Sequence, residues 1–119
     1  MKLYYAKGAC SFSVRILLHE LNLPCIYEAV DLKTKLTEKG ADYSQINPKG
    51  SVPALELDSG EVLTEGVIIL QYLAEQHQPN SLLPSKEHFE HYRVLELANF
   101  LATDLHKGMG VMFNPAITE

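Results

Sequence analysis

Asn47-Pro48-Lys49-Gly50-Ser51-Val52-Pro53-Ala54-Leu55-Glu56-Leu57, followed one hairpin later by Leu63-Thr64-Glu65-Gly66, decides the fold. Proline cannot donate a ladder hydrogen bond, so Pro53 belongs at the first residue or the edge of a strand. Placed there, it leaves the Val52 backbone to pair with something other than the sheet. A cis Val52–Pro53 bond would turn that backbone toward a ligand, against a base rate of about 5–6% for X–Pro bonds in folded proteins. Asp58-Ser59-Gly60 reads as the turn of an antiparallel hairpin with strands over 53–57 and 61–63. Thr64 is expected to cap a helix running from Glu65 to about Gln76, with Val67, Ile69, Leu70 and Leu73 on a broad sheet-facing side. The start of that helix offers unpaired N–H groups and the positive end of the dipole. Together the two features suit a peptide-like ligand with a free carboxylate and a free amine.

Upstream, Lys2 to Tyr5 is a short apolar strand running into the loop Ala6-Lys7-Gly8-Ala9. Ser11 or Ser13 can cap the next helix, whose Val14, Leu17, Leu18 and Leu21 follow the i, i+3, i+4, i+7 spacing. Asn22 to Pro24 stops it, and Cys25 to Leu32 reads as a second strand, parallel to the first through a right-handed crossover. Lys33 to Ile46 is polar and poorly periodic, which predicts a loop with one short helix. Strand, helix, strand, short helix, hairpin, helix, with a proline leading the third strand, is the thioredoxin-like arrangement βαβαββα, an α/β fold. Gln78 to Pro84 is linker-like in its Pro and Asn content. A long helix is predicted from about Lys86 to about Met112, with no proline before Pro115. Its apolar side of Val94, Ala98, Leu101, Leu105 and Met112 cannot bury itself alone, so a partner chain or further helices should cover it.

The 119 residues suit one compact domain, and 46% hydrophobic with 21% charged residues is a globular composition. Ten basic against fifteen acidic residues give a net charge of −5, with no basic run. Nucleic acid and anionic membrane are therefore not expected as partners, since either needs a positive stripe. No segment approaches the roughly 20 apolar residues of a membrane span, and the first residues lack the core of a signal peptide. The two cysteines, Cys10 and Cys25, do not make a disulfide framework, and a reducing cytoplasm is the economical reading.

Cys10 lies in the turn between the first strand and the first helix. A helix N-terminus there is expected to draw its pKa below the ordinary thiol range, whereas a free cysteine otherwise serves as a small buried hydrophobe. Cys10-Ser11-Phe12-Ser13 has no second cysteine, so an internal disulfide is excluded while a mixed disulfide with a small thiol is permitted. Ser11 is the rival group; Tyr4 and Tyr5 read as strand and core residues. Cys25, at the head of an apolar strand, reads as core. Asn99, Thr103 and His106, at i, i+4 and i+7, share a face of the last helix, extended by Tyr92 and Glu96. His88 and His91 have no further ligands nearby, so no metal site is expected.

The chain resembles the start of a bacterial class beta glutathione transferase. The resemblance rests on Lys7-Gly8-Ala9-Cys10-Ser11, on Asn47 through Leu55, on Leu63-Thr64-Glu65-Gly66-Val67, and on Leu105-His106-Lys107-Gly108, in order and at family spacing. It implies a thioredoxin-like glutathione-binding domain over residues 1–78, a linker over 79–84, and over 85–119 the first helix of an incomplete all-α domain. It implies glutathione as substrate, transferred to a small electrophile, with thiol–disulfide exchange through Cys10 as a companion activity. Cys10 and His106 would be catalytic. Glu65 would attract the γ-glutamyl amine, the Gly66 N–H would meet the carboxylate, Val52 would pair with the cysteinyl unit, and Lys35 would meet the glycyl carboxylate. Asn99, Thr103, Asp104, Leu105 and His106 would complete the glutathione site, partly across a homodimer interface. The rival expectation is a non-catalytic, transferase-like interaction module of the stringent starvation protein type, which a glutathione resin would separate from the enzyme.

Overall fold

Leu3, Val14, Leu18, Leu55, Ile69 and Leu73 have no solvent exposure, and between them they join two strands and two helices into one core. The computed structural model describes residues 1–113. Its first elements are β1 (Lys2–Tyr5), α1 (Ser11–Glu20), β2 (Ile26–Asp31) and β3 (Leu36–Thr37). They are followed by α2 (Tyr43–Ile46), β4 (Ala54–Glu56), β5 (Val62–Thr64) and α3 (Gly66–Gln76). The strands form one sheet in the order β3-β2-β1-β4-β5. β1 runs parallel to β2 and antiparallel to β4, which pairs antiparallel with β5. This is the thioredoxin-like α/β arrangement.

Three local expectations are corrected. The polar stretch 33–46 holds a two-residue strand as well as the short helix: β3 turns back antiparallel on β2, pairing Val30 with Thr37 and Asp31 with Leu36. Two residues are too few to show a period. Strand β2 starts at Ile26, so Cys25 precedes it and packs, partly buried, against the main core. In α1 neither Ser11 nor Ser13 caps the N-terminus. Cys10 occupies that position without a side-chain capping bond, and the buried Ser11 hydroxyl exchanges bonds with Ala6 N–H and C=O instead. The helix stops as the sequence implies. Asn22 adopts φ +52°, and the N–H groups of Asn22 and Leu23 close on the carbonyls of His19 and Leu18, a Schellman termination.

Alternation along β1 sends Leu3 to the α1/α3 side and Tyr4 to the other. That second side carries Tyr4, Val30, Tyr43, Val52 and Ala54, and beside them a set of charges. Lys2 Nζ lies 3.3 Å from Glu28 and 3.7 Å from Glu56, the Tyr4 hydroxyl donates to Glu56 at 2.6 Å, and Lys39 reaches Glu28 at 3.7 Å. Glu28 is buried. Burial alone would push its carboxyl pKa up, but the Thr37 hydroxyl, Lys2 and Lys39 outweigh it and hold the pKa below the ordinary value.

The chain divides after Gln78 into two units, Met1–Gln78 and the residues from Pro79 onward. In the second, α4 (Phe89–Phe100) leads into a π-helical turn at Leu101–His106, then α5 (Lys107–Met109) and a 3-10 turn at Gly110–Phe113. The helix begins three residues later than expected, because His88 is extended and serves as its N-cap. It is also not a single α-helix. The Thr103 hydroxyl donates to the Asn99 carbonyl at 2.9 Å, an i−4 side-chain bond that competes with the backbone ladder within the π segment. Val94, Leu101, Leu105 and Met112 are exposed. Pro115 and the end of the expected 85–119 region lie outside the described residues. Among the described residues, no helix is long and apolar enough to cross a membrane.

A pH titration tests the charged face. A carboxyl with a lowered folded pKa contributes stability that is complete above its unfolded pKa of about 4.3 and is lost as pH falls through the folded value. Wild-type urea midpoints should therefore fall in this acid range. Glu28→Gln should be less stable near neutrality and lose less on acidification; parallel curves for the two proteins would remove Glu28 from the account.

Candidate functional site

The loop before β4 is held by its carbonyl groups. Lys35 Nζ donates to Gly50 O at 2.8 Å. The Tyr43 hydroxyl and Asn47 Nδ2 both donate to Ser51 O, each at 2.8 Å. Cys10 Sγ donates to Val52 O at 3.4 Å. Gly50 has φ +62°, a conformation that favours glycine, and a Cβ there would lie 3.2 Å from the Lys35 Cε and Nζ atoms, so the end of the lysine would have to give way slightly. The Val52–Pro53 bond is cis, as expected from the sequence. The Pro53 ring lies against Gly66, where a Cβ would meet Pro53 Cγ at 3.6 Å, so the loop and the start of α3 are in contact.

The α3 N-terminus differs from expectation. Glu65, not Thr64, is the N-cap, and it makes no side-chain capping bond. Its backbone sits at φ +70°, ψ 114°, which is costly for a residue with a Cβ; such outliers persist where the surroundings over-determine them, and they cluster at functional sites. Lys49 Nζ lies 2.7 Å from Glu65 Oε1 and 3.2 Å from Thr64 Oγ1, tying the loop to the helix start.

Cys10 is exposed as a residue, yet desolvation is the largest influence on its thiol and raises the pKa. The N–H groups of Cys10 and Ser11 at the helix start pull it down, and the Glu65 charge pushes it up again. The net direction is upward. This corrects the expectation of a lowered value, because the helix start offers only part of what burial and a nearby carboxylate remove. Burial likewise raises Cys25. The Ser11 hydroxyl is committed to Ala6. Tyr4 and Tyr5 are structural, Tyr4 bonded to Glu56 and Tyr5 lying under the Arg15 guanidinium and edge-to-face with Tyr27.

The first unit thus brings Cys10, Val52, Glu65 and Gly66 onto one loop–helix junction. Lys35 sits at its back with its ammonium on the Gly50 carbonyl. Asn99, Thr103, Asp104, Leu105 and His106 belong to the second unit, where all five are exposed. There the wider π turn interrupts the 3.6-residue period that would align His106 with Asn99 and Thr103, and Thr103 also bonds Asp104 at 3.0 Å. Sequence reasoning missed Lys49, Tyr43 and Asn47. Asn-Pro is a turn-initiation signal that could have found Asn47, whose Oδ1 accepts the Lys49 N–H at 3.1 Å. A groove of about 490 Å³, lined among others by Ala6, Lys7, Asp31, Thr34 and Leu36, opens beside the β1–α1 loop, and none of the site residues lines it. Among the described residues, no group of three or more His, Cys, Asp or Glu could hold a metal ion.

Residues 8–76 match the glutathione S-transferase N-terminal domain family. The chain belongs to the glutathione S-transferase family. Over its whole length it is 45% identical to the Escherichia coli O157:H7 protein named glutathione S-transferase GstA, spanning 59% of that protein. A sphingomonad glutathione S-transferase solved in complex with glutathione superposes with a TM-score of 0.92 at 42% identity, covering 98% of this chain and 58% of that one. The bacterial beta class transferase of Sphingomonas chungbukensis gives 0.92 at 42%, covering 97% and 57%. The chain therefore spans less than two thirds of these transferases, and its likeness to them includes the bacterial beta class.

Two measurements test this geometry. Asn47→Ala removes a donor to Ser51 O and the acceptor of the Lys49 N–H in a buried place, and should cost about 2 kcal/mol in urea unfolding. Tyr43→Phe leaves Asn47 on the same carbonyl and should cost about 1 kcal/mol; the reverse order would contradict the shared role. Alkylation of Cys10 should titrate above an ordinary thiol, and Glu65→Gln should move the midpoint down.

Proposed function

We propose that this protein conjugates glutathione to small electrophiles, with thiol–disulfide exchange through Cys10 as a companion reaction. The observation that carries this reading is the 3.4 Å bond from Cys10 Sγ to Val52 O. A tripeptide pairing its cysteinyl backbone with Val52 brings its own sulfur to Cys10. Glu65 then receives the γ-glutamyl ammonium, and the Gly66 N–H receives the adjacent carboxylate at the helix start. Lys35 can meet the glycyl carboxylate if it shares or leaves the Gly50 carbonyl. The roles given to Asn99, Thr103, Asp104, Leu105 and His106, including catalysis by His106, rest on the family resemblance. So do a homodimer and a cytoplasmic location.

The raised Cys10 pKa separates the two reactions. In conjugation a protonated Cys10 is the useful form, since its S–H can turn from Val52 O to donate to the glutathione thiolate as that sulfur attacks the electrophile. In exchange the deprotonated form is required. The Cys10 thiolate attacks one sulfur of oxidised glutathione, the S–S bond breaks, a new Cys10–glutathione disulfide forms, and the second glutathione leaves as thiolate and takes up a proton. Ser11, bonded to Ala6, is not available for either step.

Incubation of the full-length chain with oxidised glutathione, followed by peptide mapping, should place the adduct on Cys10 and leave Cys25 unmodified, at a rate that climbs with pH through the Cys10 midpoint. Equal labelling of both cysteines would sink the assignment. Glu65→Gly, which relieves the backbone strain at φ +70°, should be at least as stable as the parent and yet lose retention on a glutathione resin. Retention unchanged in that variant would remove Glu65 from the site.

A further inference from the structure

Lys49 has three donors on its ammonium, and two are directed at Glu65 Oε1 and Thr64 Oγ1. Its own backbone is fixed, because its N–H is bonded to the buried Asn47 side chain. A cation therefore stands, on a held segment of chain, directly against the carboxylate proposed to take the substrate ammonium. An ionised carboxylate accepts at roughly four lone-pair sites, so the Lys49 bond does not by itself preclude a second ammonium. A ligand bearing only an amine would nonetheless put a second cation beside Lys49. A ligand whose amine and carboxylate share one carbon changes the sign of that encounter. Its ammonium joins Glu65 while its carboxylate meets the third Lys49 donor, and the four charges alternate.

We propose that Lys49 is a specificity-determining residue of the γ-glutamyl seat, pairing with the α-carboxylate so that the seat selects an α-amino-acid zwitterion over a simple amine. The proposal rests on the glutathione reading above. The Lys49 and Glu65 side chains are both largely exposed, so the pair is a selector of modest strength. It costs little stability to alter.

Binding of three S-methylated tripeptides to the full-length chain, measured by calorimetry, tests it; methylation prevents a disulfide with Cys10. They are S-methylglutathione, the 4-aminobutyryl analogue lacking the α-carboxylate, and the glutaryl analogue lacking the ammonium. Wild type should prefer S-methylglutathione to both. Lys49→Met should weaken S-methylglutathione about fivefold, the scale of one exposed charge pair, and leave the 4-aminobutyryl analogue unweakened or bound more tightly, since the like charge beside its amine is gone. Lys49→Arg should keep the wild-type preference. Equal weakening of both ligands in Lys49→Met would make Lys49 merely structural. Tighter binding of S-methylglutathione would make it a competitor for Glu65. Either result overturns the proposal while leaving the site standing. Failure of wild type to bind S-methylglutathione at all would overturn the site reading, and this proposal with it.

Discussion

Three consecutive carbonyl groups, those of Gly50, Ser51 and Val52, are each claimed by a side chain from a different part of the first unit. Lys35 comes from the β2–β3 turn, Tyr43 and Asn47 from α2 and its C-cap, and Cys10 from the start of α1. The Lys35 and Cys10 bonds can be exchanged for a ligand's groups, so it is Tyr43 and Asn47, two donors on the Ser51 carbonyl, that are the costly ones to remove. The loop consequently has one conformation to offer. Pro53 is carried against Gly66, and the start of α3 is placed by contact with a loop that is itself held. The Glu65 backbone follows from this. A residue with a Cβ stays at φ +70° only when the chain on both sides leaves it no alternative.

The two faces of the sheet divide the work differently. The α1/α3 side is apolar, and its six fully buried residues supply burial free energy that depends on area and hardly on register. The opposite side sets Lys2, Tyr4, Glu28 and Glu56 among apolar residues. Buried ion pairs of this kind are weak evidence of stability, because desolvation offsets most of the attraction. Here they act on pairing. Tyr4 is opposite Glu28, and Lys2 is opposite Glu56. A slip of one residue would turn Glu28 toward Leu3 and its neighbours. The charges therefore penalise wrong registers, while the apolar face drives collapse in any of them.

Much of this was readable from the residues. Spacing of Val14, Leu17, Leu18 and Leu21 marked α1, Asn22 marked its end, and Asp58-Ser59-Gly60 marked the hairpin, because periodicity and turn chemistry are local properties. The parts that were not readable involve long-range or competing terms. β3 is too short to carry a period and exists because β2 offers it a ladder. The Cys10 pKa depends on burial and on a carboxylate 55 positions away, so the nearby helix start was the smaller part of the balance. The Lys49–Glu65 contact joins two segments whose separation in the chain says nothing about their distance. The π turn at Leu101–His106 has no periodic mark that distinguishes it from an α-helix.

The position of β1 has a consequence in time. It is the central strand of the finished sheet and precedes both of its neighbours in the chain, one of them by some fifty residues. Lys2 waits for Ile26 on one side and for Glu56 on the other. Until the hairpin emerges, Leu3 and the apolar side of α1 have no complete surface on which to pack. Closing such distant pairings is slow relative to local ones, and exposed strand edges persist meanwhile. Until the hairpin has been made, the nascent chain therefore carries α1 and its first strands without the complete sheet. Codon choice or chaperone access while that surface is incomplete should therefore affect the yield of folded protein.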